Sequence, residues 1–311
     1  MVSLRQLEAF QAVMIKGTQT HAAESLRLTQ PAVSALIDSL EQQLGFQLFE
    51  RVKGRLVPSK EATYYHEYVS GVLASFSNLG QVARDIRESN AGTLRIASNP
   101  NMSLGFLPRL IARFQQDHPK VSVVLQTRSS SKVVEMLGTQ QFDIGFAEMP
   151  VNDVLIDVEP LRLRCVCVVP HGHPLAAARV IRPQDLKGVP FLSGLREHMT
   201  SAQLGDLWRE CGVRPIVKVE SQLFWTSCVL AQEGAGIALV DPITAMEFDG
   251  DGVVVRPFDP GVFLQMGIMF PSSRPKSRQA HKFSQLVRMQ LSARLASLEA
   301  SFGMDAMPLL G

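Results

Sequence analysis

The chain has 311 residues, 46% hydrophobic and 19% charged, which suits a folded protein of two or three domains and excludes disorder and collagen-like repeats. Lys and Arg total 31 against 29 Asp and Glu, so the net charge is +2 and any polyanion must be bound by a local patch. The start, Met1-Val2-Ser3-Leu4-Arg5-Gln6-Leu7-Glu8, lacks the basic-then-apolar pattern of an export signal, and no run of 18 apolar residues predicts a membrane span.

Leu4, Leu7, Phe10, Gln11 and Met14 recur at spacings of three and four, which predicts a short amphipathic helix closing at Gly17. Thr18 or Thr20 caps a second helix with the small apolar face Ala22, Ala23 and Leu26, followed by the turn Arg27-Leu28-Thr29. A third helix opens with Thr29 as cap and Pro31 in its first turn, carries Val33, Leu36, Ile37, Leu40 and Leu44 inward, and ends at Gly45. Two short helices joined by a tight turn, the second with a polar leading edge, make a helix-turn-helix. Such a second helix lies in the major groove of double-stranded DNA, where Gln30 can pair with an adenine edge. Ser34 and the helix N-terminus hold phosphate, and Thr18, Thr20, Thr29 and Pro31 share that leading edge. The segment from Arg51 to Pro58 reads as a hairpin whose Arg51, Lys53 and Arg55 surround a Gly54 turn, a wing suited to backbone or minor-groove contact.

From Glu61 to about Glu88 there is no proline. Tyr65, Val69, Val72, Phe76, Leu79, Ala83 and Ile86 fall at alternating spacings of four and three. This seam predicts a helix of roughly 42 Å that pairs with a second copy of itself.

After Ser89-Asn90-Ala91-Gly92, strands and helices alternate. Strands are expected at 93–98, 121–126 and 142–147, with helices at 104–116 and 131–138 between them, the pattern of an open parallel sheet. A second set has strands near 164–170, 190–192, 216–219 and 237–240 and helices near 201–211 and 223–234; a strand at 264–270 and a helix at 279–300 close the chain. Two α/β lobes leave a cleft at the carboxyl ends of their strands. Ser98, Asn99, Pro100, Asn101, Ser129, Ser130 and Ser131 stand at that edge before helix N-termini, and Met199-Thr200-Ser201 repeats the arrangement in the second lobe. Singly, each hydroxyl reads as a helix cap; converging on one cleft, they suit a carboxylate. Glu148 ends its strand at the same edge, either as a solvated loop carboxylate or as partner to an ammonium or guanidinium. Both together suit a zwitterionic or cationic amino-acid derivative. Cys165, Cys167, Cys211 and Cys228 lack the spacing of a disulfide framework or zinc site, which points to a reducing cytoplasm; Cys165 and Cys167 read as buried thiols, with a redox pair as the alternative.

Leu4-Arg5-Gln6-Leu7-Glu8-Ala9-Phe10, Ala22-Ala23-Glu24-Ser25-Leu26, Leu28-Thr29-Gln30-Pro31-Ala32-Val33-Ser34 and Leu44-Gly45-Phe46-Gln47-Leu48-Phe49-Glu50-Arg51 together resemble the LysR-type transcriptional regulators. Gln19 and His21 depart from the small apolar residues usual there. Phe142-Asp143-Ile144-Gly145 and Val168-Val169-Pro170-His171-Gly172-His173-Pro174-Leu175 extend the likeness to the effector domain of that family, which is similar to periplasmic solute-binding proteins. The run from Glu233 to Pro242, with Glu247-Phe248 and Arg256-Pro257-Phe258, resembles the branch regulating octopine and nopaline catabolism. That resemblance implies an opine or related amino acid as effector and a homotetramer on DNA; Asp241, in the resembling run, is counted with the effector-binding residues. His171 and His173 lack the further ligands of a metal site.

The expected architecture is α/β. An all-α winged helix-turn-helix occupies 1–60, a dimerising linker helix 61–89 and a two-lobed effector domain 90–311, with one lobe at about 90–162 and 268–300 and the other at about 163–267. No phosphate loop, H-E-x-x-H, G-x-S-x-G or G-x-G-x-x-G occurs, so no catalytic residue and no cofactor is assigned. A solute-binding protein alone leaves residues 1–88 unexplained. The expected partners are double-stranded DNA, a small-molecule effector and further copies of the chain, with no membrane.

Overall fold

The computed structural model describes residues 2–52, 55–87, 92–151, 153–195, 199–248, 250–303 and 309–310; for 51, 52, 55, 67, 74, 75 and 77–87 it describes the backbone alone. The chain divides into two compact units. In the first, α1 (Leu4–Lys16) is opened by a reciprocal cap in which Ser3 Oγ accepts from Gln6 N and Ser3 N donates to Gln6 Oε1. It closes on Gly17 at φ 73°, a left-handed turn that favours glycine. Thr18 caps α2 (Gln19–Leu26), and Arg27 itself turns left-handed before α3 (Gln30–Leu44). Ala22 and Ala23 of α2 and Val33, Ile37 and Leu40 of α3 are buried on the predicted faces, whereas α1 buries Gln6, Ala9, Phe10 and Val13 and leaves Leu4, Leu7, Gln11 and Met14 half-buried, so its inner face is turned from the expected one. Glu41 accepts from Leu48 N and Phe49 N, which anchors the antiparallel hairpin of β1 (Phe49–Val52) and β2 (Arg55–Pro58). Lys53 lies outside the described residues, as do the side chains of Arg51 and Arg55.

The long helix α4 (Lys60–Arg87) corrects the expected seam. Val69 is 2% exposed and packs with Ala62, Leu73 and Tyr65 on the core of its own unit, where Tyr65 meets Phe10 at 5.7 Å between ring centroids. Val72 and Phe76 stay exposed, in line with Tyr64 and Tyr68, eight and four residues before Val72. One apolar stripe is thus split between a face covered within the unit and a face left open. The side chains of Leu79, Ala83 and Ile86 are outside the described set.

The second unit contains two five-stranded sheets. Its first half runs β3 (Thr93–Ser98), α5 (Pro100–Ser103), α6 (Phe106–Asp117), β4 (Ser122–Thr127), α7 (Ser130–Gly138), β5 (Ile144–Glu148) and β6 (Ile156–Arg164). The second half runs β7 (Val166–Pro170), β8 (Pro190–Gly194), α8 (Met199–Glu210), β9 (Ile216–Ser221), α9 (Phe224–Gln232), β10 (Ile237–Val240), α10 (Pro242–Glu247) and β11 (Val253–Pro257). Then β12 (Phe263–Pro271) returns to the first sheet and α11 (Arg278–Ser301) closes the chain. The strand orders are β4-β3-β5-β12-β6 and β11-β7-β10-β8-β9, so the chain crosses between sheets at Cys165 and again before Phe263, where Cys165 N donates to Val262 O.

Both sheets are mixed rather than parallel. β12 runs antiparallel to β5 and β6, and β7 antiparallel to β10 and β11, because each crossing reverses the strand that follows it. β6 and β11, absent from the sequence reading, are edge strands that carry Pro160 and Pro257, residues an edge tolerates because one side of the strand needs no ladder donor. The motif Phe142-Asp143-Ile144-Gly145 has a packing cause. Asp143 accepts from Arg95 N and Arg274, and a Cβ at Gly145 would fall 2.3 Å from Leu137, so glycine lets α7 close onto β5. Cys165, Cys167 and Cys228 are buried, and burial raises all three thiols, Cys228 to about 12, which makes them unreactive. Among the described residues no helix is long and apolar enough to cross a membrane, and no cluster of metal-ligating side chains forms.

Candidate functional site

In the first unit, the leading ends of α2 and α3 come together on an exposed face. Thr18, Thr20, Thr29, Gln30 and Pro31 are exposed and Ser34 is half-buried. Thr18 Oγ1 accepts from His21 N, whereas Thr29 makes no side-chain cap, which leaves the first turn of α3 open to an outside acceptor. Gln30 Nε2 donates to Gln19 Oε1 at 2.9 Å, so the residue expected to read a base is held across the helix pair by the residue at which the sequence departs from the usual pattern.

In the second unit, a cavity of about 570 Å³ is walled by Asn99, Pro100 and Asn101 after β3, Thr127 to Ser131 after β4, Glu148 at the end of β5, and Gln222 and Leu223 before α9. These are carboxyl ends of parallel strands followed by helix N-termini, a geometry that directs free N–H groups and hydroxyls inward. Ser129 and Ser131 share a hydrogen bond of 3.2 Å at the start of α7. Ser130 Oγ accepts from Glu148 N, which fixes the backbone at the end of β5, and Asn101 Nδ2 donates to the carboxylate at Glu148 Oε1 at 3.4 Å. Asn99 is 2% exposed, and among the described residues neither its Nδ2 nor its Oδ1 has a hydrogen-bond partner. A buried primary amide with both ends unsatisfied costs stability unless something in the cavity completes it.

Four expected residues lie elsewhere. Ser98 is buried and donates to Asn99 O. Met199 and Thr200 open α8, Thr200 buried, and neither is among the residues that wall the cavity. Asp241 is fully buried as the cap of α10, accepting from Thr244 N and Thr244 Oγ1. Burial is the main reason that its carboxyl is raised to about 6; hydrogen bonds from Thr244 and Ile243 act in the opposite sense, and the charge of Glu148 adds to the rise. Thr127, Arg128, Gln222 and Leu223 also wall the cavity and are absent from the sequence expectation, although the strand-end geometry that points to Asn99 and Ser129 holds for the ends of β4 and β9 as well. His173 is occupied, its Nδ1 accepting from Leu175 N in a turn.

The pattern described as bacterial regulatory helix-turn-helix protein, lysR family, matches residues 4–63, and that of the LysR substrate binding domain matches residues 87–292. The chain belongs to the LysR family. It is therefore a LysR-type transcriptional regulator with a DNA-binding head and an effector domain, not an enzyme. It is 35% identical over 284 residues to the regulatory protein NocR of Agrobacterium fabrum, covering 91% of this chain and 95% of the relative. It is 37% identical over 274 residues to the octopine catabolism/uptake operon regulatory protein OccR of Rhizobium meliloti, covering 86% and 88%. Among solved structures, full-length CbnR complexed with its target DNA shares the LysR fold at a TM-score of 0.67 and 20% identity, covering 92% of this chain and 99% of the other.

Proposed function

We propose that this LysR-type regulator responds to an amino-acid derivative carrying both carboxylate and cation, with octopine-like compounds as the leading class, bound in the cavity of the second unit. The observation that carries this reading is the pairing, in one cavity, of the α7 N-terminus and its serines with Glu148, around the unsatisfied amide of Asn99. A carboxylate suits the first, a guanidinium or ammonium the second, and Asn99 supplies one donor and one acceptor between them. The name of the OccR relative points to the same chemistry. The head reads operator DNA through Gln30 in the cytoplasm, and copies of the chain associate through the exposed face of α4. An effector that binds one arrangement of the lobes better than another shifts the assembly toward it, and the DNA-bound state with it.

A thermal-shift series with octopine, nopaline, arginine and lysine tests the effector, since a ligand at 100 times its Kd adds roughly 2.7 kcal/mol. Flat melting curves for all four would remove this ligand class. Gln30→Ala tests the head: preference for operator over random DNA falls by about 1–3 kcal/mol per contacted base while salt-dependent background binding persists. Mobility-shift titrations at several salt concentrations measure both.

A further inference from the structure

The exposed edge of the head carries two glutamines. Gln19 is the first residue of α2 and Gln30 the first of α3, positions from which side chains lean beyond the helix N-terminus. Both backbones are fixed there. Thr18 Oγ1 accepts from His21 N and Thr18 O from Ala22 N, Val33 N donates to Thr29 O, and the left-handed Arg27, followed by Leu28 N donating to Ala23 O, closes the turn between the helices. Gln19 is half-buried and Gln30 exposed, so the amide nearer the bundle supports the one that faces outward. Across the turn Gln30 Nε2 donates to Gln19 Oε1 at 2.9 Å, and among the described residues neither amide makes another hydrogen bond.

We propose that Gln19 is the positioning residue for base readout: its carbonyl, set against Gln30 Nε2, fixes which way the reading amide faces and so selects adenine over guanine. This rests on the reading of Gln30 as a base contact. A primary amide has two N–H donors and a carbonyl acceptor, and turning it over exchanges them with almost no change in shape. With one Nε2 hydrogen given to Gln19, the outer edge of Gln30 presents one donor beside one acceptor, the complement of adenine N7 and its N6 amino group in the major groove. Turned over, Gln30 aims both Nε2 hydrogens outward and suits guanine, whose O6 and N7 are both acceptors. That orientation sets carbonyl against carbonyl across the turn, two acceptors with no hydrogen between them. Residue 19 therefore decides the base: an acceptor there gives adenine, and a donor gives guanine. An apolar side chain at 19 leaves the amide of Gln30 free to adopt either.

The test is selection by the full chain from a randomised duplex DNA library, with sequencing of the bound fraction, for the wild type and for variants at both positions. The base pair whose preference disappears in Gln30→Ala marks the Gln30 contact, and there the wild type takes adenine over guanine. Gln19→Glu carries acceptor oxygens on both branches and has no turned-over form; its charge weakens binding to every sequence, yet the adenine-to-guanine ratio stays at the wild-type value or rises. Gln19→Leu has no acceptor, and the ratio falls at least about fivefold. Gln19→Lys offers donors alone, and the preference moves to guanine. Ratios are compared because a loss of folding or of phosphate contact lowers binding to both bases alike. A wild-type ratio in Gln19→Leu or Gln19→Lys overturns the positioning role and leaves Gln30 as a reader, as does a wild type that prefers another base at the marked pair. If Gln30→Ala changes no position, Gln30 reads no base, and the role of Gln19 falls with it.

Discussion

Asn99 and Asp241 are both buried polar residues of the effector domain, yet they differ in what enclosed them. Asp241 is satisfied by its own helix, and its cost is electrostatic; Asn99 is unsatisfied, and its cost is two missing hydrogen bonds. Replacing Asn99 by alanine therefore leaves the melting temperature of the effector-free protein unchanged or raises it, while effector affinity drops by about 1–3 kcal/mol. Calorimetry beside thermal unfolding separates the two, and a loss of stability without loss of affinity would make Asn99 a structural residue. For Asp241 the sign follows from its direction. A carboxyl whose folded value is about 6 and whose ordinary value is 3.8 adds stability below pH 4, and that contribution is lost as the pH rises through 6. Asp241→Asn is accordingly more stable than the wild type at pH 7.5, by up to about 3 kcal/mol, with the gain vanishing near pH 4. Urea unfolding at the two pH values checks this.

At the scale of elements, α4 shows how one periodicity serves two purposes. Val69 fills the core beneath the helix-turn-helix, whereas Phe76, 54% exposed, faces away from it. Val69→Ala lowers the unfolding midpoint of the head by removing buried methyl groups, a cost of about 1–3 kcal/mol, and leaves self-association intact. Phe76→Glu has the opposite profile: the head stays folded and the assembly weakens, as read by sedimentation velocity across a concentration series. If Phe76→Glu sediments as the wild type does, the open face of α4 is not the contact between copies. The heptad spacing was legible because it is local. Which body covers each position was not, since Tyr65 and Val69 find their neighbours in Phe10 and the α1–α3 core, far away along the chain.

Across the effector domain as a whole, α10 joins two distant parts. It follows a strand of the second sheet, yet packs on α5, α6 and α11 beside the first. Its last residue, Glu247, has a side chain only 2% exposed and pairs with Arg109 at 2.7 Å and with Arg294. A Cβ at Gly105 would stand 2.4 Å from Glu247 Cβ, so glycine there admits the close approach of α10 to the start of α6. Glu247→Gln removes the charge that two guanidinium groups share. Because both arginines reach solvent, the cost falls at or below the lower end of the roughly 3–5 kcal/mol seen when a buried pair is broken. Thermal unfolding of the variant measures it, and an unchanged midpoint would show that the clasp adds nothing to the docking of α10.

Local chemistry was written plainly in the sequence. Cap residues, glycine stops and the three-and-four spacing set α1, α2 and α3, and the alternation after Gly92 announced an α/β effector domain, because each depends on residues within a turn or two of one another. The strand-end rule also led to Asn99, Asn101, Ser130 and Glu148, which the fold brings to one cavity. Tertiary structure alone decided the rest. It chose which serines face the cavity and which serve as internal donors, as Ser98 does, and it drew Asp241 behind the wall instead of into it. It also made edges of β6 and β11, whose prolines hid them, and reversed strands at the two crossings. Burial and strand pairing are set by partners a hundred residues apart, and a one-dimensional pattern carries the period of a face without naming what that face will meet.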